Sequence, residues 1–216
     1  AGQNLANVIG QVTALLIVTL GQLVVALVAG IDLSVGSVIS LSSCLVATQS
    51  DPMSGVMLAL LLGLGVGLVA FLVLPIPGGQ VAPSLRELAS GTLWDLPHPL
   101  LWCVLFAGLV GFLLNRTRLG LHLFAVGANA HSAQLNGVGA VVVVMAAYVI
   151  CSLLAVLSGI YLAARVAAGD PTMGAAFSLE SVTAVALGGV QLTGGVGSVV
   201  GALTGALSLG LITNGI

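Results

Sequence analysis

At 216 residues the chain is 59% hydrophobic and only 5% charged, with a mean hydropathy of +1.25. A soluble domain carries about a quarter charged residues to solvate its surface, so this composition excludes one. The net charge of −2 and the four scattered arginines exclude a nucleic-acid footprint. The chain has no lysine, which a Walker-type phosphate loop requires, so any ATP hydrolysis must come from a partner.

Four stretches free of Asp, Glu, Lys and Arg, Ala1–Ile31 and Ser181–Ile216 among them, exceed the roughly 20 residues that a helix needs to cross a hydrocarbon core. The alternating polarity of a membrane β-barrel is missing from Leu58–Leu74 and Ala140–Ala164. The expected fold is therefore all-α, a polytopic transmembrane helical bundle with broken or re-entrant helices, forming one domain over residues 1–216. No basic region precedes the first apolar run, which is not read as a secretory signal.

The first apolar segment, about Leu5–Ala29, contains Asn7, Gln11, Thr13, Thr19 and Gln22, polar groups that in a span face other helices or a cavity. It breaks at Gly30-Ile31-Asp32-Leu33-Ser34-Val35-Gly36-Ser37. A lone carboxylate at membrane depth costs at least a few kcal/mol. Asp32 is thus expected to cap the next helix or to lie at the interface, a place on a translocation path being the sharper reading. Gln22, Ser34 and Ser37 are the other candidates for that path. Val35–Thr48 is short for a crossing, Ser50-Asp51-Pro52 is a turn, and Met53–Leu74 is a span with Gly63 and Gly67 on one face.

Residues 75–98 hold four of the seven prolines together with Arg86, Glu87 and Asp95. They are expected to form an extramembrane loop with a short surface helix near Ser84–Ala89. Pro99–Leu114 is a minimal span, and Asn115–Gly137 is a mixed, polar inter-span segment. Val138–Ala164 is a strong span, and Arg165–Glu180 is a second polar loop with a turn at Asp170-Pro171. Ser181–Ile216 is apolar but broken at Gly188-Gly189 and Gly194-Gly195, and Glu180 suits the N-terminus of its first helix. Gly197, Gly201 and Gly205 form a small-residue ridge for packing within the subunit or against a second copy. Val196–Val200 echoes Val35–Ile39, each run following a Gly-rich break and opening an apolar helix.

Cys44, Cys103 and Cys151 lie far apart and read as buried free thiols. His122 and His131 share a polar loop without carboxylates, so neither a metal site nor a cofactor is expected. No Ser/His/Asp constellation assembles at one depth, and the chain is not expected to be an enzyme.

At the interrupted segments the sequence resembles a known family. Gly30–Val38 is similar to the G-I-D-L-S-V-G-S signature of permease subunits of ribose/xylose-type ABC sugar importers. Arg116-Thr117-Arg118-Leu119-Gly120, then Ala125-Val126-Gly127-Ala128-Asn129, Ala133, Leu135 and Gly137-Val138, resemble that family's cytoplasmic loop. Glu180, Val185–Gly189 with Gly188 and Gly189, and Gly194-Gly195-Val196-Gly197 resemble its C-terminal Gly-rich signature. The order is the family's, and the resemblance covers most of the chain outside 75–98.

The resemblance implies a multi-pass permease of the bacterial inner membrane that pairs with a second permease copy. It further implies ABC ATPase subunits on the cytoplasmic face, which bind the ATP, and a periplasmic sugar-binding protein that delivers a monosaccharide. It makes Asn115–Gly137 the cytoplasmic coupling loop and Asn129–Gly137 its docking helix; Arg116 and Arg118 agree with that side. Leu121, Ala128, Ser178 and the Val141–Val144 run depart from the family pattern. The chain is expected to be shortened, lacking the family's first and last spans and one internal span after Leu74, where 75–98 stands instead. With Val81–Leu96 too broken to cross, residues 75–98 are expected to be periplasmic and Asp51 cytoplasmic. The rival readings are a branched-chain amino acid permease, an ion-coupled secondary transporter and a membrane scaffold that does not transport. The first has a different opening signature, and the second wants intramembrane carboxylates, for which only Asp32 qualifies.

Overall fold

The computed structural model describes residues 2–48, 52–63, 81–93 and 96–213. In chain order come α1 (Gly2–Leu27), α2 (Val35–Thr48), α3 (Pro52–Gly63) and α4 (Pro83–Ser90). A two-residue antiparallel pair follows, β1 (Thr92–Leu93) and β2 (Leu96–Pro97). Then come α5 (His98–Arg116), α6 (Arg118–Ala128), α7 (Ala130–Leu135), α8 (Ala140–Val166), α9 (Phe177–Leu187) and α10 (Val199–Thr213). Among the described residues, three helical stretches are long and apolar enough to cross a membrane: Val8–Leu27, His98–Arg116 and Ala140–Val166.

α1 is the central helix. Val12 through Leu27 are all buried, as expected of a helix apolar on every face. α5, α8, α9 and α10 surround it. α1 runs antiparallel to α8: the Ser158 hydroxyl donates to Ala14 O (3.0 Å), the Tyr161 hydroxyl donates to Gly10 O (3.0 Å), and Gly21 seats on Cys151. α2 then runs back alongside α8, with Ile39 and Ser42 against Gly159 and Cys44 and Ala47 against Gly169. α1 and α2 therefore form a re-entrant pair that enters and leaves at the Arg165 end of α8.

The depth of the turn between them follows from α8. Its 27 residues span about 40 Å, more than the roughly 30 Å hydrocarbon core. Asp32 lies beside Cys151, close to the middle of that helix, while Ala29 lines a groove with Ala140, Val141 and Val144 near its start. The α1–α2 turn thus runs from the start of α8, at Ala29, to the middle of that helix, at Asp32.

α4 covers Val81 and Ala89 while exposing Arg86 and Glu87, and it packs near Ile160, Tyr161 and Ala164 at the Arg165 end of α8. This places α4 at the Arg165 end of the bundle, opposite Arg116, with the paired β1 and β2 following it. The Asp51 expectation falls outside the described residues, as does the part of Met53–Leu74 beyond Gly63, Gly67 included. The described neighbours of Asp51 run against that expectation. Cys44 and Ala47 pack on Gly169, and Val56 lines a cavity with Leu85 and Ala164, all at the Arg165 end. The cause is that α2 returns along α8 to the end at which α1 begins.

Two further differences are local. Residues 118–128, expected within a polar loop, form a helix that buries Gly120, Leu123 and Val126. The C-terminal apolar helix starts at Phe177 rather than Ser181, so Glu180 lies in its first turn without capping it by a hydrogen bond; the N-cap is Ala176.

Candidate functional site

The first break is built by a Schellman turn. The Gly30 N–H donates to Val25 O (3.0 Å) and the Ala29 N–H to Ala26 O (3.0 Å), with Ala29 in the left-handed region at φ 60°. Gly30 cannot carry a side chain because the Tyr148 hydroxyl and Val25 occupy the space. Gln22, fully buried on α1, reaches across the turn. Its carboxamide donates to Asp32 O (3.2 Å) and accepts from Asp32 N (3.1 Å), satisfying two main-chain groups that the break removes from any helix.

Asp32 is 4% exposed and caps. Its Oδ1 accepts from the Ser34 N–H (2.9 Å) and the Ser34 hydroxyl (2.6 Å), just where Ser34 O accepts the first bond of α2 from Val38 N. Another α2 amide, Gly36 N–H, donates to Ser178 Oγ (3.1 Å), and that hydroxyl donates to Leu33 O (3.1 Å). The loop after α8 then follows the serine face of α2: Gly174 N–H donates to Ser40 Oγ (3.0 Å), and Ser43 Oγ donates to Asp170 O (3.2 Å). Asp170 itself closes an Asx turn on Thr172 (2.7 Å). Of the path candidates, Ser34 and Ser37 are exposed, whereas Asp32 and Gln22 are buried and hold the turn.

The second break is a Schellman turn of the same kind. Val190 N–H donates to Val185 O (3.2 Å), Gly189 N–H donates to Ala186 O (3.0 Å), and Gly189 takes φ 74°. Ser198 then caps α10 by accepting from Gly201 N (3.0 Å). The sequence echo pairs Ser198 with Ser37, yet the residue that precedes α2 is Ser34, so the repeat is out of register by nearly one turn. The glycine ridge packs inside the subunit: Gly201 and Gly205 lie directly on the backbone of Gly188 and Ala184 of α9, and Gly197 meets Leu23, Leu27 and Val190.

The polar segment between α5 and α8 has clear punctuation. Thr117 ends α5 and caps α6 by accepting from Gly120 N (3.2 Å), leaving Arg116 and Arg118 exposed on either side. Asn129 caps α7 by accepting from Ser132 N (2.9 Å). Gly137, at φ 81°, ends it as a third Schellman turn, with Val138 N–H on Ala133 O (3.0 Å). α7 turns Ala133 inward and holds Leu135 76% exposed.

These segments meet. Leu27 O, at the end of α1, accepts from Gly195 N (2.9 Å), and Gly127 abuts the same carbonyl so closely that no Cβ fits. Gly194 and Gly195 both adopt positive φ here, 91° and 75°. A groove of about 540 Å³, lined by Ala29, Gly127, Asn129, Ala140, Val144 and Met145 among others, runs from this junction to the start of α7. The first break, the α6–α7 segment and the C-terminal glycines thus form one continuous unit. Sequence reasoning did not single out Ser40, Ser43, Tyr148 or Tyr161, and it noted Ser178 only as a departure; the available signal was the run of four serines along apolar α2.

Comparison with known proteins identifies the family. The family described as "Branched-chain amino acid transport system / permease component" matches residues 76–216. The ribose import permease of Escherichia coli (strain K12) is 32% identical over 249 positions, covering 99% of this chain and 77% of that protein. The fructose import permease of Rhizobium meliloti is 31% identical over 252 positions, covering 97% and 69%. The galactofuranose transporter permease of Escherichia coli (strain K12) is 29% identical over 242, covering 97% and 71%. No solved structure matches. The ribose permease alignment has 249 positions against 216 residues here, so at least 33 positions of that protein have no counterpart. With a family match over well more than half its length, the chain belongs to the branched-chain amino acid transport system / permease component family.

Proposed function

We propose that the chain is the membrane-embedded permease subunit of a bacterial ABC importer for a monosaccharide. The observation that supports this most directly is the meeting of Leu27, Gly127 and Gly195. It ties a polar break at mid-depth to the exposed α7 helix, the linkage a coupled importer needs. The relatives named for ribose, fructose and galactofuranose favour a sugar over an amino acid. In this reading α7 and Leu135 dock on a separate ATPase subunit, which binds the nucleotide, and Arg116 and Arg118 lie on the cytoplasmic side of the inner membrane. Val81–Pro97 and Arg165 then face the periplasm and a sugar-binding protein, and a second permease copy completes the path, with Ser34 and Ser37 as its exposed polar groups. A neutral solute needs hydroxyls and water rather than a counter-ion.

An Ala130→Cys variant, co-expressed with its ATPase, is expected to crosslink to that subunit; labelling of this cysteine only from the periplasmic side overturns the assignment. The positions missing relative to the ribose permease favour one second reading, a subunit that assembles without transporting. Uptake of labelled ribose into proteoliposomes carrying the full importer separates the two.

A further inference from the structure

We propose that movement of α7 enters the bundle through α6 and the end of α1, with Gly127 as the point of contact, and not through α8, to which α7 is also joined. The two junctions of α7 are built differently. On one side a single residue serves two helices. The Asn129 N–H donates to Ala125 O at the end of α6 (3.1 Å), and the Asn129 carbonyl accepts the first bond of α7 from Ala133 N (3.0 Å). The Asn129 side chain also caps α7, accepting from Ser132 N (2.9 Å). On the other side Asn136, Gly137 and Gly139, all exposed, and the half-buried Val138 separate α7 from α8. Among the described residues nothing lies within 4 Å of where a Gly137 side chain would start, and Gly139 meets only Val142 of the turn that follows it. The groove between Asn129 and Ala130 on one wall and Ala140, Val144 and Met145 on the other keeps the start of α7 off α8.

α6, in contrast, is seated at both ends on backbone. Gly120 lies on the Leu113 and Leu114 carbonyls of α5. Gly127, about two turns further along the same face, lies on Leu27 O and Gly195 N. Gly194 and Gly195 close the joint from the far side, against Ala29 and Ala128. A side chain absorbs a small shift by rotating, whereas backbone packed on backbone has no such freedom and passes the shift on.

At this joint the shift reaches Leu27 O, the end of α1. From there the Gln22 clamp on Asp32 and the Asp32 cap on Ser34 lead to the start of α2. Residues 136–139, with few neighbours and two glycines, take up motion instead of transmitting it. The inference rests on the proposed docking of α7 on an ATPase and not on the solute that is moved.

The test uses the full chain assembled with its ATPase subunit in nanodiscs and reads hydrogen exchange over residues 28–36 with and without a non-hydrolysable ATP analogue. In the wild-type complex the analogue is expected to change exchange there. Two glycines inserted between Ala128 and Asn129 leave α7 and its cap intact, so the ATPase still binds, but the change should shrink about fivefold or more, the scale of a typical coupling between sites. The same insertion between Val138 and Gly139 should alter it less than about twofold. A change retained with the first insertion, or reduced as much or more by the second, overturns the inference, as does a wild-type complex whose exchange at 28–36 ignores the analogue. A wild-type chain that binds no ATPase overturns the function proposed above, and this inference with it. Should the first insertion fail to fold, Asn129→Gly frees the same junction without lengthening it and is read the same way.

Discussion

Gln22→Leu removes the clamp on the first break at nearly constant volume. Leucine fills the space, but the Asp32 N–H and C=O lose their partners (3.1 and 3.2 Å) in a site where Gln22 is fully buried. Two estimates compete. An orphaned buried polar group costs about 1–3 kcal/mol, which for two groups gives about 2–6. Interhelical hydrogen bonds measured in a membrane protein average only about 0.6 kcal/mol, because unfolded helices find other partners there. Asp32 lies outside any helix and has no carbonyl one turn back to fall upon, so the value should lie near the lower end of the first range, about 2–3 kcal/mol. Reversible unfolding of the purified protein in mixed micelles, followed by circular dichroism, measures it. Because Gln22 engages the main chain of Asp32 and not its carboxylate, combining Gln22→Leu with Asp32→Asn should give a coupling energy under about 0.5 kcal/mol. A loss below about 0.5 kcal/mol for Gln22→Leu, or coupling above about 1 kcal/mol, refutes the clamp.

One turn before Gln22, Thr19 has a buried hydroxyl without a hydrogen-bond partner among the described residues, so Thr19→Val should stabilise by about 1 kcal/mol in the same unfolding assay. Ala29 holds a left-handed conformation that costs an L-residue about 1 kcal/mol or more, so Ala29→Gly should raise stability by about 0.5–1 kcal/mol, part of the gain being offset by glycine's greater freedom when unfolded. Ser178→Ala strips the Gly36 amide of its partner and should cost about 1 kcal/mol, with faster hydrogen exchange at the start of α2 and none of that change at α10.

What the sequence shows and what it hides divide along physical lines. Helix existence was readable because lipid allows few alternatives: Val35–Thr48 and the α5 and α8 spans appear within a residue or two of their expected limits. Capping chemistry was readable at Asp32, whereas the limits of α7 at Asn129 and Gly137 came from the family resemblance and not from their capping. Contacts between residues far apart in sequence were not. Nothing in the run around Ser178 announces that it caps a helix some 140 residues earlier, and nothing in Gly201 and Gly205 distinguishes a ridge facing α9 from one facing a second copy. α6 was missed as a packed helix because Arg118, His122 and the neighbouring Asn129 made the segment read as polar, while its buried stripe is only Gly120, Leu123 and Val126. At the first break glycine would be the usual left-handed occupant, yet Ala29 takes that conformation and Gly30 the crowded place after it.

The re-entrant pair also decides which end of the bundle each connection occupies. Counting α1 and α2 as a crossing and its return to the far side puts Asp51 with Arg118. Counting them as one entry and exit puts it with Ser84. The second count agrees with every described neighbour: Cys44 and Ala47 on Gly169, then Val56 beside Leu85. Cysteines introduced singly as Asp51→Cys and Ser84→Cys, in cells exposed to an impermeant maleimide, are therefore expected to label from the same side, and Arg118→Cys only from the other. If Asp51→Cys labels together with Arg118→Cys, α1 and α2 do not form a re-entrant pair in the membrane and the depth assigned to Asp32 falls with them.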